Sequence, residues 1–334
     1  MRRNNFDIVR LTLALVVVLF HLPAVSQSDS LGVLERFCSG ELAVQGFFAI
    51  SGFLIFASWE RATSLRDYCI KRAARILPGY WLATALCVAI AFWYRSFHVG
   101  SFLLANLTFL NFLHPQIDGV FDEAPYTPIM NGALWTIKIE LMFYALVPVI
   151  VWITRRLRQR DLVLWTVFAA SVAIHIFMPP RSKWQVELPG QLCYFMVGAL
   201  IHYHLQLFYR RGWWIMAAAA AFYGLHLWTG WFVFRPLAIP ALVLGAALLL
   251  PVFRGPTRWG DFSYGTYVLH WPIIQCIVAT GMFQIHPWAA ASITVSLVEA
   301  GAVFSWFFVE KPSLSRAHAH TTRVKPPVPA IISS

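Results

Sequence analysis

Ten apolar runs, joined by short loops that are basic at every second junction, leave this chain little choice but to fold within a lipid bilayer. The runs lie near 8–24, 41–59, 76–94, 133–153, 161–178, 188–207, 213–229, 235–253, 263–281 and 288–309. Each approaches the ~20 residues that an α-helix needs to cross the hydrocarbon core. With the N-terminus inside, the inner loops hold Arg2, Arg3, Arg61, Arg66, Lys71, Arg72 and Arg75. They continue with Arg155, Arg156, Arg158, Arg160, Arg210, Arg211, Arg254, Arg258, Lys311, Arg316, Arg323 and Lys325, whereas the outer loops hold Arg36, Arg95, Arg181, Lys183 and Arg235. Cytoplasmic loops carry the Lys and Arg excess of a membrane protein. The sequence therefore predicts an all-α polytopic protein of about ten transmembrane helices with both termini cytoplasmic. Charged residues make up 12% of the chain, about half the share usual in a soluble domain. The net charge of +11 sits in the loops, so it marks topology and not a nucleic-acid surface.

The Met-Arg-Arg start and first apolar run have no small-residue cleavage site after them and read as a retained span. The stretch FLLANLTFLNFL at 102–113 is short and carries two asparagines. Counting it as a span would invert the charge bias of everything after it, so it reads as re-entrant or surface-lying. Together with HPQIDGVFDEAPYTPIMNG it forms the largest outer loop, where an external substrate would be met. Residues 1–312 form one membrane domain and 313–334 a flexible cytoplasmic tail. The five cysteines offer no CxxC spacing and only Cys38 lies outside, so neither a structural disulfide nor a metal centre is expected.

Ionisable groups inside the apolar runs are costly and usually functional. Arg10 and His21 are eleven residues apart, which brings them to within ~20° on one helix face with an axial separation of about 16 Å. A cation near one surface aligned with a deeper imidazole suits a long anionic ligand whose reactive end is buried. Arg72 and Arg75 are helix-surface neighbours at the inner interface, placed either to clamp phosphate or to anchor the helix by snorkelling. Glu140 lies about as deep as His21 and could fix its tautomer, or could pair with Lys138. His270 stands halfway along the ninth run before Trp271–Pro272, and His175 and Glu299 are further buried candidates.

The stretches FDIVRLTLALVVVLFHL, GFFAISGFLI, KRAARILPGYW, LWTIKIELMFY, SYGTYVLHWP and FFVEKPS run in this order from residue 6 to residue 313. In them the chain resembles the membrane-bound acyltransferases of acyltransferase family 3, which include polysaccharide and nodulation-factor O-acetyltransferases. The resemblance implies that His21 is the essential histidine, Arg10 its partner, and Arg72 and Arg75 the cytoplasmic pair associated with acyl-CoA. Glu140 matches the first acid of a motif that often reads Glu-Glu, but Leu141 follows it here, and Lys138 replaces a small polar residue. Ser51, Trp135, Tyr144, Tyr264 and His270, from the same motifs, form a secondary set of candidates. Many relatives carry a fused SGNH esterase-like domain, for which this chain has no room.

The expected function is O-acyl transfer, with acetyl-CoA or another acyl-CoA as co-substrate, to a hydroxyl of an extracytoplasmic glycan or lipid-linked saccharide. The expected location is the inner membrane, in contact with membrane lipid. His21 would act as nucleophile or as general base. A transporter or flippase using His21, Glu140 and His270 as a proton relay is the alternative, and a non-catalytic scaffold a third reading.

Overall fold

The computed structural model describes residues 4–253 and 255–323. Arg2, Arg3, Arg254, Lys325 and the 324–334 portion of the expected tail lie outside the described residues. Among the described residues all regular structure is helical.

Each of the ten apolar runs holds one long helix: α1 Phe6–Ser26, α2 Gly40–Arg61, α3 Leu65–Trp93, α4 Trp135–Leu157 and α5 Arg160–Phe177. They continue with α6 Leu188–Tyr203, α7 Leu205–Thr229, α8 Phe234–Leu248, α9 Ser263–Ala279 and α10 Pro287–Ser305. Six regions are long and apolar enough to cross a membrane, namely those built on α1, α2, α3, α4, α5 and α10. The chain is thus an all-helical, multi-pass membrane protein. Helices α6, α8 and α9 have 16, 15 and 17 residues. At 1.5 Å per residue they reach about 22–26 Å, short of the ~30 Å core. Thirteen of the 17 residues of α9 are buried by protein, so it has little hydrophobic length to match to lipid.

The 102–113 stretch yields only the eight-residue helix Gly100–Leu107. Beyond α10 a π turn at Trp306–Glu310 leads into a helix at Lys311–Arg323, so the first part of the expected tail is helical. All five cysteines are free.

Local chemistry sets the helix starts. Ser39 and Ser64 precede α2 and α3, and their hydroxyls accept from the Leu42 and Asp67 amides, satisfying donors that a helix start leaves open. Before α4, Asn131 Oδ1 accepts from the Ala133 amide while Nδ2 donates to the Val268 carbonyl, tying this start to α9. The Trp271 ring presses on Gly132, where any Cβ would sit 2.7 Å from it.

The core is held by close helix pairs. Helices α2 and α6 meet backbone to backbone: a Cβ at Gly52 would lie 2.0 Å from the Phe195 carbonyl oxygen, and one at Gly198 2.1 Å from that of Ala49. Small residues permit such approach where lipid supplies no hydrophobic drive for association. Gly198→Val must push the two backbones apart. Overpacking of this kind is expected to destabilise by about 3 kcal/mol or more, read as a lower denaturation midpoint in detergent. An unchanged midpoint would contradict this packing. The second close pair, α1 against α9, carries the site.

Candidate active site

Near the N-terminal end of α1, Arg10 meets Arg75 of α3 through a shared carboxylate that belongs to neither helix. Asp261, in the turn before α9, accepts on Oδ2 from Arg10 Nη1 and, at 2.5 Å, from Arg75 Nη2. Its Oδ1 accepts from the Ser263 hydroxyl at 2.5 Å and the Ser263 amide at 3.2 Å, so the same side chain caps the start of α9. Burial alone would raise the Asp261 carboxyl, but the two guanidiniums and the Ser263 hydroxyl hold it well below the ordinary carboxylate range. Asp261 therefore stays ionised at physiological pH. Asp261, the partner of Arg10, was not among the residues singled out in the sequence.

Arg72 stands apart. Its guanidinium carbon lies 5.5 Å from the Tyr144 ring centroid, and its buried Nε has no hydrogen-bond partner among the described residues. The two arginines that look equivalent in sequence thus differ: Arg75 is neutralised by Asp261, whereas Arg72 forms no ion pair with a described residue.

Above this cluster lies a constriction of about 40 Å³, lined by Arg10, Thr136, Glu140, Ser263, Tyr264 and Tyr267. It has room for little more than water. Glu140 accepts at 2.8 Å from the Tyr144 hydroxyl, one helical turn on. Lys138 pairs with Glu187 at 2.6 Å, not with Glu140. The Tyr264 hydroxyl donates to the Ile76 carbonyl at 2.9 Å, and Arg75 lies 6.0 Å from the Tyr264 ring centroid. Thr136 and Tyr267 share a hydroxyl–hydroxyl bond of 2.8 Å.

Tyr267 and Val44 also line the neighbouring space, a chamber of about 560 Å³. His21, Gln45, Trp135, Gln185 and Arg235 form much of its wall. Here the expected pairing of His21 with Glu140 fails. The partner of His21 is His270, with Nδ1 of His21 3.0 Å from Nε2 of His270 and the rings stacked at 5.1 Å. Axial depth alone placed Glu140 beside His21; the direction in which α4 presents it sends it to the constriction instead.

The two imidazoles form a directed chain. His270 Nδ1 lies 2.6 Å from the Tyr267 carbonyl, which can only accept, so Nδ1 carries the proton. In the neutral ring Nε2 is then an acceptor, and His21 Nδ1–H donates to it. That leaves Nε2 of His21 as the lone-pair nitrogen. Trp271, the next residue of α9, packs at a steep angle against the His21 ring at 5.0 Å, while its Nε1–H donates to the Ile129 carbonyl.

The remaining sequence candidates divide. Trp135 lines the chamber, Tyr144 and Tyr264 belong to the constriction region, and Ser51 lies on α2 outside both linings. His175 reaches the chamber, stacked at 3.8 Å on Phe232, with Nε2 3.0 Å from the Gly190 carbonyl. Glu299 accepts from Thr266 at 2.9 Å and lines neither space. Sequence reasoning missed Asp261, Tyr267, Gln45 and Arg235. Only Asp261 and Tyr267 gave any signal, by standing in DFSYGTYVLHWP.

Comparison with known proteins bears on this arrangement. Residues 3–310 match a family described as an acyltransferase domain. The chain is 28% identical to "Nodulation protein 10" of Rhizobium leguminosarum bv. viciae, over 93% of each chain. It is 24% identical to the "O-acetyl transferase" of Shigella phage Sf6, over 95% of this chain and 97% of that one. "Exopolysaccharide production protein ExoZ" of Rhizobium meliloti (strain 1021) is 31% identical over 121 residues, a third of each protein. No solved structure matches the chain.

Proposed function

The chain belongs to acyltransferase family 3, and on that premise we propose that it moves an acyl group, acetyl in the simplest case, from cytoplasmic acyl-CoA to a glycan hydroxyl outside. In this reading it sits in the inner membrane with ten helices across or deep within the bilayer and both termini cytoplasmic. Cysteines placed at Glu123 and Arg158 check that topology: the first should label from outside, the second only from inside. Outer labelling at 158 would overturn it.

The observation that carries the mechanism is the His21–His270 chain, which turns one basic imidazole nitrogen towards the chamber and ties the other to a proton acceptor. The CoA phosphates bind at the inner end, where Arg72 offers an open donor and Arg10 and Arg75 exchange Asp261 for phosphate oxygens. The pantetheine arm widens the constriction and brings the thioester to Tyr267. Nε2 of His21 attacks the carbonyl, the carbon–sulfur bond breaks, and CoA leaves as thiolate. The Nδ1 proton passes to Nε2 of His270, so the acyl-imidazole is neutral and His270 holds the charge. A hydroxyl in the chamber then attacks the acyl carbon, the bond from that carbon to His21 Nε2 breaks as the ester forms, the hydroxyl proton passes to water in the chamber, and the proton on His270 returns to Nδ1 of His21. The names of the relatives, an O-acetyl transferase and a nodulation protein, support a saccharide as acceptor.

Radiolabelled acetyl-CoA supplied without acceptor tests the covalent route. Label should be retained on the wild-type chain and be absent from His21→Ala. Wild-type transfer without retained label would favour direct attack, with His21 as base. His270→Gln separates positioning from chemistry. The amide can still accept from His21 but cannot take a proton, so transfer should fall roughly 10²-fold with an altered pH profile and an unchanged KM for acyl-CoA. A rise in KM with unchanged kcat would contradict this role.

A further inference from the structure

A second and larger hollow, about 740 Å³, opens between α1, α2, α7 and α8. Its floor is hydrocarbon: Leu13 and Val16 of α1, Leu42 of α2, and Ile239, Leu242 and Val243 of α8. Its rim is polar, with Glu35, Arg36, Ser39, His226 and Arg235. Around the same end, Phe37, Trp228 and Trp231 are largely exposed. Exposed aromatic rings of this kind mark the level where a bilayer meets water. The rim thus stands at headgroup depth and the floor at acyl-chain depth.

Only a thin partition separates this groove from the chamber. Leu13 and Val16 face the groove, while Val17, Phe20 and His21 on the same helix face the chamber. At the start of α2, Ser39, Leu42 and Ala43 face the groove, and Gly40, Glu41, Val44 and Gln45 the chamber. Arg235 lines both spaces. Its Nε donates to Gln45 Oε1 at 3.1 Å and its Nη2 to Glu41 Oε1 at 3.0 Å, so it stands at the opening between them with its charge matched. Glu35 and Arg36, neighbours in the chain, stand exposed on the rim and form no ion pair with each other. The rim thus offers hydrogen bonds and guanidinium donors to the polar linkage of an amphiphile.

We propose that this groove seats the hydrocarbon anchor of a lipid-linked saccharide, whose head passes over Arg235 and presents its hydroxyl to His21. The acceptor then arrives sideways from the outer leaflet and not from bulk water. This rests on the reading of the chamber as the acceptor site. An amphiphile fits because apolar floor, interfacial rim and polar chamber follow one another in the order of tail, linkage and sugar.

The test uses the full chain in nanodiscs and a polyprenyl-linked disaccharide carrying a diazirine in its hydrocarbon. Photolabel should enter the α1 and α8 peptides, and unlabelled polyprenyl-linked disaccharide should displace it where phosphatidylethanolamine and free disaccharide do not. Displacement by phosphatidylethanolamine would reduce the groove to an ordinary lipid contact and overturn the proposal. Leu13→Trp and Leu242→Trp fill the groove and should lower acyl transfer to the lipid-linked disaccharide at least 10-fold, with transfer to free disaccharide within 2-fold. The free acceptor reports on folding, and Leu297→Trp, on the exposed face of α10, is the neutral control. Equal losses on both acceptors, or none, would overturn the groove. Specific photolabelling with wild-type transfer to neither acceptor would instead overturn the acceptor reading of the chamber and leave the lipid site standing.

Discussion

His21→Ala should leave a folded, inserted protein whose acyl transfer is lower by roughly 10²–10⁴-fold or more. The imidazole borders the chamber and is held by its hydrogen bond to His270 and by its packing against Trp271. Removing it forfeits the covalent intermediate and general-base assistance together. The structural penalty is modest because His21 already borders an open space. What it leaves is a buried His270 Nε2 without its donor, a loss of about 1–3 kcal/mol. His21→Gln sharpens the test, since its amide can donate to His270 but cannot carry an acyl group. Both variants should therefore be inactive, with Gln the more stable of the two. Near-normal product from either, with the protein intact in the membrane, would remove His21 from the centre of the chemistry.

How far the sequence revealed this site depends on which geometry each inference needed. Periodicity within one helix was enough to align Arg10 with His21, because both residues share a backbone whose rise and twist are fixed. It would also have given the Glu140–Tyr144 contact, an i, i+4 pair on α4. What depended on two helices was not legible. Depth along the membrane normal says nothing about the direction a side chain takes around its own axis, so Glu140 was matched to His21 although it faces the constriction. His270 ranked second because a lone histidine on an apolar helix has many bland partners; its position against His21 follows from the packing of α1 on α9. Asp261 was hidden for a different reason. It sits just before a span, where an acid reads as loop, and only the folded chain brings two arginines from separate helices to it.

Span counting shows the same limit. The ten apolar runs each became a helix, but α6 and α9 are enclosed by neighbours, and burial in protein satisfies an apolar surface as well as lipid does. Hydropathy cannot distinguish the two environments. The charge bias of the loops carries different information, the side of the membrane on which a turn rests, and it remains the argument for both termini being cytoplasmic.

Replacing arginine by lysine at 72 and 75 separates anchoring from phosphate binding, and the Asp261 cluster makes the outcomes at the two positions unequal. Lysine keeps the positive charge, so topology should survive in each case. It loses the planar fork that grips phosphate through two parallel bonds. Arg72 has no carboxylate among the described residues to hold it in place, so Arg72→Lys should weaken acyl-CoA binding with little effect on stability. A charge-assisted contact contributes on the order of 1.5–3 kcal/mol, about ten- to a hundred-fold in affinity. Arg75→Lys should do the same and also loosen the joint between α3 and the start of α9, because a point charge holds Asp261 less firmly than a fork. The expected signature is therefore a raised KM for acyl-CoA in both variants, with a lower denaturation midpoint only at 75. An unaltered acyl-CoA dependence in the double variant would sink the phosphate-site assignment and leave both residues as interfacial anchors. Arg10→Lys completes the comparison. Arg10 shares Asp261 with Arg75, so a rise in KM there but not at 72 would move the phosphate site to the foot of α1, with Asp261 as the anion that the ligand displaces.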